Sequence, residues 1–135
     1  GAKAITVVSR HPHSKTEFDA FIQRIGADTI DYQDLEHSQG SDVLVNCTPV
    51  GMFPDVNGCP VSERLIAAFP AVVDIVYNPK NTQLLQAARR HGAKTLNGMY
   101  MLVAQAIGSE EIWMGRTIDS SVIEQIAKEM EHYYE

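Results

Sequence analysis

Short apolar runs alternate with segments of helical periodicity along most of this chain, and that alternation limits the folds it can adopt. Runs rich in β-branched residues lie at residues 4–8, 43–46 and 72–76, and such runs are typical of buried strands. Amphipathic helical patterns separate them. Strands that alternate with helices form parallel β-α-β units. The sequence therefore predicts an α/β fold, a doubly wound parallel sheet with helices on both faces.

Capping signals indicate where the helices begin and end. Residues 14–17 have the form of a capping box, and Gly26 stands where a helix would end in the left-handed conformation. Ser62 marks the start of a short helix, and Thr82 and Asp119 are predicted to cap two longer ones. The other expected elements are short strands at residues 29–31 and 94–96, a loop at 49–60 and an amphipathic helix whose apolar stripe is Met99, Leu102, Val103, Ala106 and Ile107.

The composition excludes several classes of partner. The 135 residues carry a formal charge of −6 and no cluster of Lys or Arg, so the surface would repel nucleic acid and anionic membranes. No apolar run approaches the roughly 20 residues of a membrane helix. Cys47 and Cys59 are too few to cross-link the chain, and their spacing fits no compact zinc motif. We expect no nucleic acid, membrane or metal partner, and a reducing, cytoplasmic location.

Polar and turn-forming residues follow the predicted strands. They occupy residues 9–10, 46–49, 77–79 and 97–99. In open α/β sheets, ligands bind beyond the carboxyl ends of the strands. We therefore expect these four segments to line a crevice.

Three of these segments, together with the residues after them, resemble motifs of the shikimate dehydrogenases. Residues 42–52, D-V-L-V-N-C-T-P-V-G-M, resemble that family's N-A-T-P-x-G-M segment, and residues 73–85 resemble its D-x-x-Y-x-P-x-x-T-x-L-L segment. Residues 98–106 are similar to its G-x-x-M-L-V-x-Q-A helix, and residues 111–115 match the E-x-W-x-G that follows. Several motifs in the family's order are far more specific than one. The resemblance covers the family's C-terminal, nucleotide-binding half.

The resemblance implies an incomplete Rossmann-like domain over residues 1–135. The family's first strand, Gly-rich turn and first helix should precede residues 1–3, and the chain starts without Met, so we expect a fragment of a longer polypeptide. Gly51 and Gly58 cannot replace the Gly-rich turn because they lie in a mid-chain loop. The family's N-terminal domain, which holds its catalytic Lys and Asp, has no counterpart here. We therefore expect no catalytic residue in this chain.

The residues after the first strand suggest which dinucleotide is bound. That strand end faces the adenosine ribose in a dinucleotide-binding fold, where an acidic residue would favour NAD. Ser9 and Arg10 instead offer a hydroxyl and a guanidinium, which can bind a 2′-phosphate. The resemblance assigns Ser9, Arg10 and Lys15 to NADP, although Ser9 departs from the family's Asn and Lys15 lies one residue further on than usual. The alternative is that Arg10 is an ordinary surface residue. Loop histidines, rather than metal ligands, are expected at His11 and His13.

The later strand ends are assigned to the nicotinamide. By resemblance, Thr48, Ile75, Gly98 and Met101 lie beside the nicotinamide half of the cofactor. We expect Gly98 to admit the ligand, because it lacks a side chain at a helix N-terminus. The alternatives are a plain loop at Thr48 and a core position for Met101.

The substrate side is assigned by resemblance to Tyr77 and Gln105, which would contact shikimate. Gln105 follows Met101 by four residues and should share its helix face. The alternatives are a packed Tyr77 ring and a solvent-facing Gln105. Asp74 lies inside an apolar run and is expected to be hydrogen-bonded, while Cys47 is expected to be a small buried residue.

The implied activity is reversible, NADPH-dependent reduction of 3-dehydroshikimate to shikimate, in aromatic amino-acid biosynthesis. The cofactor would supply the hydride, and the absent Lys would handle the proton. Two alternatives stay open: a quinate-type hydroxy-acid dehydrogenase, and a non-catalytic nucleotide-binding or docking module. The sequence leaves the preference between shikimate and quinate and the oligomeric state undetermined.

The absent first strand also affects the sheet. In the usual strand order, 3-2-1-4-5-6, its absence leaves a gap of roughly 10 Å at the centre. Strands 3-2 and 4-5-6 could not share hydrogen bonds across that gap. We expect a segment supplied from elsewhere, a rearranged pairing, or low stability of the chain alone.

The first prediction is that the purified 135-residue chain has no shikimate dehydrogenase activity, because the proton-transfer residue lies outside it. The measurement is NADP-linked oxidation of shikimate followed by absorbance. Measurable turnover by the chain alone would contradict this prediction.

Overall fold

A computed structural model of the chain describes residues 1–12 and 16–133, and these residues form an α/β structure with parallel strand pairing. The chain divides into two compact units, Gly1–Gly40 and Ser41–Glu135. In the described ranges no helix is both long and apolar enough to cross a membrane. The predicted α/β class is confirmed.

The first unit is built from two parallel strands and two helices. Its elements are β1 (Thr6–Val8), α1 (Thr16–Ile25), β2 (Asp28–Ile30) and α2 (Tyr32–His37), and Thr6 lies opposite Asp28 in the β1–β2 pair. Gly26 has a φ of 65°, so the predicted left-handed end of α1 is confirmed. The capping residues Ser14 and Lys15 lie outside the described residues.

Helix α2 was not predicted from the sequence. Asp31 caps it, since its carboxylate accepts a hydrogen bond of 2.7 Å from the Asp34 amide, and Leu35 is its buried residue. A helix this short cannot display a full amphipathic pattern, so the cap was the available signal.

The second unit contains a three-stranded parallel sheet. Its strands are β3 (Val43–Asn46), β4 (Ala71–Asp74) and β5 (Lys94–Leu96), in the order β3-β4-β5. Helices α3 (Glu63–Ile66) and α4 (Gln83–Arg90) pack together, and α4 packs on β4 and β5. The core of this unit includes Leu65, Ile66, Val72, Leu84 and Leu85.

Side-chain caps and an ion pair fix α3 and α4, as the capping signals predicted. Ser62 Oγ accepts from the Leu65 amide, and Thr82 Oγ1 accepts from the Leu85 amide. Arg90 donates two hydrogen bonds to Glu63 and holds the pKa of the Glu63 carboxyl below its usual value. The ion pair therefore links α4 to α3.

The last two helices pack against each other. Helix α5 (Met99–Met114) and α6 (Ser120–Glu131) bury Met99, Val103 and Ala127 between them. Asp119 caps α6 as predicted, and hydrogen bonds from Ser121 lower the pKa of its carboxyl. The predicted stripe of α5 is confirmed at Met99, Leu102, Val103 and Ile107, whereas Ala106 is exposed.

The sheet of the second unit is more exposed than the apolar run of β3 predicted. Val43 and Val45 are 49% and 50% exposed. Register partners in a parallel sheet share a face, so these two side chains project with Val73, on the side opposite buried Val72 and Asp74. Helix α4 covers the side that carries Asp74, and this explains why only that half of the strand is buried.

The described strands form two separate sheets. Strand β1 pairs with β2, and β3 pairs with β4. By the resemblance, β1 and β2 correspond to strands 2 and 3 of the usual order, and β3, β4 and β5 correspond to strands 4, 5 and 6. Two sheets rather than one are expected where strand 1 is absent, and no rearranged pairing occurs within the described ranges.

The two sheets should differ in local stability. Strand β4 is paired on both sides, whereas β1 and β2 form a two-stranded sheet of three residues each, a size that is marginal in water. We expect β4 amides to exchange with deuterium more slowly than β1 amides in the 135-residue chain, measured by NMR. The amides of α4 serve as an internal reference. Equal protection of β1 and β4 would show that the two-stranded sheet is stabilised in another way.

Candidate functional site

The carboxyl ends of β3 and β4 lie side by side. Asn46 is the register partner of Asp74, and the Ile75 amide donates to the Asn46 carbonyl at 3.1 Å. Beyond the strands, the Phe53 amide donates to the Asn78 carbonyl at 2.9 Å. The loops after β3 and β4 therefore form one edge, which brings Thr48, Ile75 and Tyr77 to the same end of the sheet.

A buried carboxylate holds this edge together. Asp74 has no solvent exposure. Its Oδ1 accepts from Asn46 Nδ2 at 3.0 Å and from the Val76 amide at 3.1 Å, and its Oδ2 accepts from Thr82 Oγ1 at 2.7 Å. The expectation that Asp74 is hydrogen-bonded is confirmed.

Thr48 is oriented by its neighbour on the strand. Its hydroxyl donates to Asn46 Oδ1 at 2.7 Å, and its amide donates to the same oxygen at 3.0 Å. The hydroxyl also accepts from the Val50 amide at 3.3 Å. Because the hydroxyl proton is already used within the protein, Thr48 can meet a ligand through its methyl group or a remaining lone pair.

Gly98 is required by the backbone that it crosses. A Cβ there would lie 1.9 Å from the Ile75 carbonyl oxygen and 2.5 Å from its carbon, while the Gly98 amide donates to the Val76 carbonyl at 3.0 Å. Gly98 was predicted to leave room for a ligand, whereas in the structure close packing on Ile75 already excludes a side chain. Gly98 and Ile75, two predicted nicotinamide-side residues, are thus in direct contact.

Tyr77 lies before α5 in the chain. It is half-buried and packs against the cluster around Met99 and Val103.

Helix α5 presents its two predicted ligand residues, Met101 and Gln105, to solvent. Met101 is 48% exposed, so it is not a core residue. Met101 and Gln105 lie about 200° and 240° around the helix from Met99, which places them together on the face away from α6. Within the described residues, the Gln105 side chain has no hydrogen-bond partner.

In the first unit, the turn after β1 carries the predicted residues Ser9 and Arg10. The Ser9 amide donates to the Ile30 carbonyl at 3.0 Å, which continues the β1–β2 ladder, and Ser9 Oγ accepts from the His11 amide at 3.2 Å. Arg10 is exposed, and among residues 1–12 and 16–133 it has no ion-pair partner. Lys15 and His13 lie outside the described residues.

The cysteines take no part in this edge. Cys47 and Cys59 are free and exposed, so the expectation of a buried Cys47 was wrong. Alternation along the strand explains this: Asn46 points inward to Asp74, and the next residue therefore points outward. The described residues contain no group of His, Cys, Asp and Glu arranged to hold a metal ion.

Asn46 is the residue of this edge that was not singled out from the sequence. Its amide accepts from Thr48 and donates to Asp74, so it connects the two loops. An Asn and an Asp that end neighbouring parallel strands were the available signal, but the register that places them opposite each other is a tertiary property.

Known relatives and solved structures are similar to this chain in sequence and in fold. Shikimate dehydrogenase (NADP(+)) of Clostridium perfringens is 40% identical over 129 residues, which are 96% of this chain and 46% of that protein. The structure of shikimate dehydrogenase 1 from Peptoclostridium difficile matches with a TM-score of 0.86 and 37% identity, over 99% of this chain and 47% of that one. No protein-family model matches the chain.

Two further structures extend the comparison. A chorismate mutase/shikimate 5-dehydrogenase fusion protein from Clostridium acetobutylicum has a TM-score of 0.84 and 38% identity, over 98% of this chain and 45% of that one. Shikimate 5-dehydrogenase from Thermus thermophilus, solved in complex with NADP(H) and shikimate, has a TM-score of 0.68 and 29% identity, over 92% and 45% of the two chains.

These similarities place the chain among Rossmann-like α/β domains. Within that class, the chain is similar to the NADP-binding half of shikimate dehydrogenases, and the resemblance seen in the sequence motifs is confirmed. The chain spans about half the length of the curated relatives that it matches.

The contact between Gly98 and Ile75 can be tested by adding one methyl group. Gly98→Ala should destabilise the chain by roughly 3 kcal/mol, because backbone atoms of Ile75 occupy the space. Gly108→Ala is the matched control: it lies within α5 with nothing within 4 Å of its Cβ, so it should stabilise by about 0.5–1 kcal/mol. Both are measured by urea unfolding. Equal stability of the two variants would contradict the contact.

Proposed function

We propose that this chain is the NADP-binding part of a shikimate dehydrogenase, which reduces 3-dehydroshikimate to shikimate reversibly with NADPH. The observation that carries this proposal is the edge formed by the ends of β3 and β4, where Thr48, Ile75 and Tyr77 are gathered. The relatives are named as NADP(+) enzymes, and the segments of this chain that resemble the family's motifs include the residues of this edge.

Arg10 would bind the 2′-phosphate of the cofactor. It is exposed at the turn after β1, and a planar guanidinium without an ion-pair partner in the described residues fits a phosphate well. The Ser9 hydroxyl lies in the same turn. It accepts a hydrogen bond from the His11 amide, so its own proton can be donated to a second phosphate oxygen. Lys15 is proposed as a second cation of this site.

The nicotinamide ring would lie against Thr48, Ile75, Gly98 and Met101. The first three offer backbone and small groups at one sheet edge, and exposed Met101 follows within the first turn of α5. The bound cofactor supplies hydride transfer. The protein groups of this edge would orient the ring and exclude water from one of its sides.

Tyr77 and Gln105 would bind the hydroxylated substrate, the Tyr77 phenol as a donor and the Gln105 amide as donor and acceptor. By resemblance to the family, the proton that accompanies hydride transfer would be handled by the Lys of the family's N-terminal domain, so we propose no catalytic residue among these 135 residues. We propose a small-molecule substrate and no nucleic-acid or membrane partner.

Cofactor choice can be tested by titrating the chain with NADP and NAD in a calorimeter. Arg10→Ala should weaken NADP binding about tenfold or more and leave NAD binding unchanged, since a charge-assisted hydrogen bond contributes about 1.5–3 kcal/mol. Arg24→Ala removes the same charge from α1, where Arg24 lies over the Phe21 ring, and should change neither affinity. Equal affinity of the unaltered chain for NADP and NAD would contradict the role of Arg10.

A further inference from the structure

We infer that Asp74 is a positioning residue that holds the cofactor-side loop of Thr48 and the substrate-side turn of Tyr77 at a fixed separation. The inference rests on the proposed function for the roles of those two residues. Asp74 itself is fully buried, so it acts through its neighbours and touches neither ligand.

The hydrogen bonds of this carboxylate reach both sides of the edge. From Oδ1, one bond leads through Asn46 to the Thr48 amide and hydroxyl, and a second goes to the Val76 amide, immediately before Tyr77. Each of these bonds measures between 2.7 and 3.1 Å. A single oxygen atom is therefore the common reference point for both loops.

The other oxygen fixes the carboxylate. Oδ2 accepts from Thr82 Oγ1 at 2.7 Å, and the same hydroxyl accepts from the Leu85 amide as the cap of α4. Helix α4 buries Leu84 and Leu85 in the core. The Asp74 side chain is thus held by a rigid element, and its orientation passes to the two loops.

Asp74 is more than an ordinary satisfied core group because its partners lie on three elements. Strand β3 is reached through Asn46, the turn after β4 through Val76, and α4 through Thr82. Every partner donates to Asp74, so the position requires an acceptor at both oxygens. A group that only stabilised the core could accept from α4 alone.

The test compares Asp74→Ala, Asp74→Asn and Ile66→Ala in the full 135-residue chain. Asp74→Ala removes every acceptor. Asp74→Asn can keep its carbonyl oxygen at the Oδ1 position, so the bonds from Asn46 and Val76 survive while the Thr82 hydrogen bond must reverse. Ile66→Ala removes buried packing from α3, a helix that makes no hydrogen bond to Asp74 within the described residues, and is the control for lost stability.

The first measurement is the NMR position of the Thr48 and Tyr77 amides without ligand. Asp74→Ala should shift both, Asp74→Asn should restore both toward the unaltered chain, and Ile66→Ala should leave both in place. The inference is overturned if Asp74→Ala leaves either amide unshifted, or if Ile66→Ala shifts them equally.

The second measurement is the affinity for NADPH and for 2′,5′-ADP, which contains only the adenosine half. Asp74→Ala should weaken NADPH binding roughly tenfold, the equivalent of about one net hydrogen bond, and leave 2′,5′-ADP binding unchanged. A merely structural role would move both probes together, and that result overturns the inference. If the unaltered chain binds neither probe, the proposed function fails, while the amide positions still decide whether Asp74 couples the two loops.

Should Asp74→Ala not fold, Asn46→Ala takes its place. It removes the bridge to Thr48 and keeps the bond between the Val76 amide and Asp74. It should therefore shift the Thr48 amide and leave the Tyr77 amide in place. A shift of both amides, or of neither, would overturn the inference.

Discussion

The hydrogen bonds to buried Asp74 are the interaction on which the organisation of the second unit depends. Buried carboxyl oxygens are costly unless they accept hydrogen bonds, and here a side-chain amide, a backbone amide and a hydroxyl donate to them. These donors come from β3, the turn after β4 and the cap of α4. The polar group that interrupts the apolar run of β4 thereby fixes where the run ends and how the following loops begin.

This arrangement explains why apolar packing and buried hydrogen bonds occur next to each other at the carboxyl end of β4. Along β4, Val72 and Asp74 share the buried side with α4, and their neighbours project to the other side. At the carboxyl end of β4, hydrogen bonds to Asp74 follow the apolar packing of Val72, and the backbone of Ile75 and Val76 then contacts Gly98. The segments that follow β3, β4 and β5 are therefore in contact at this end of the sheet, near Thr48 and Tyr77.

Local signals predicted most of the elements. The bounds of β3 agree with the structure, and Ser62, Thr82 and Asp119 cap helices as expected, because capping and strand propensity act over a few residues. The predictions that were wrong concern features that depend on tertiary contacts. Helix α4 covers only one side of the sheet, and this leaves Val43, Val45 and Cys47 exposed. A glycine is required at position 98 because the backbone there crosses Ile75 closely. Neither fact can be inferred from the order of residues along the chain.

The candidate site shows the same division between local and tertiary information. The resemblance to family motifs predicted roles for Thr48, Ile75, Tyr77 and Gly98, yet it could not reveal that Asn46 joins two of their loops, since the link depends on strand register. Binding residues at loop ends need a rigid support, because a shift of about 1 Å in such a group can cost about a hundredfold in rate. An Asp that ends one parallel strand, beside an Asn that ends its neighbour, provides that support with two side chains.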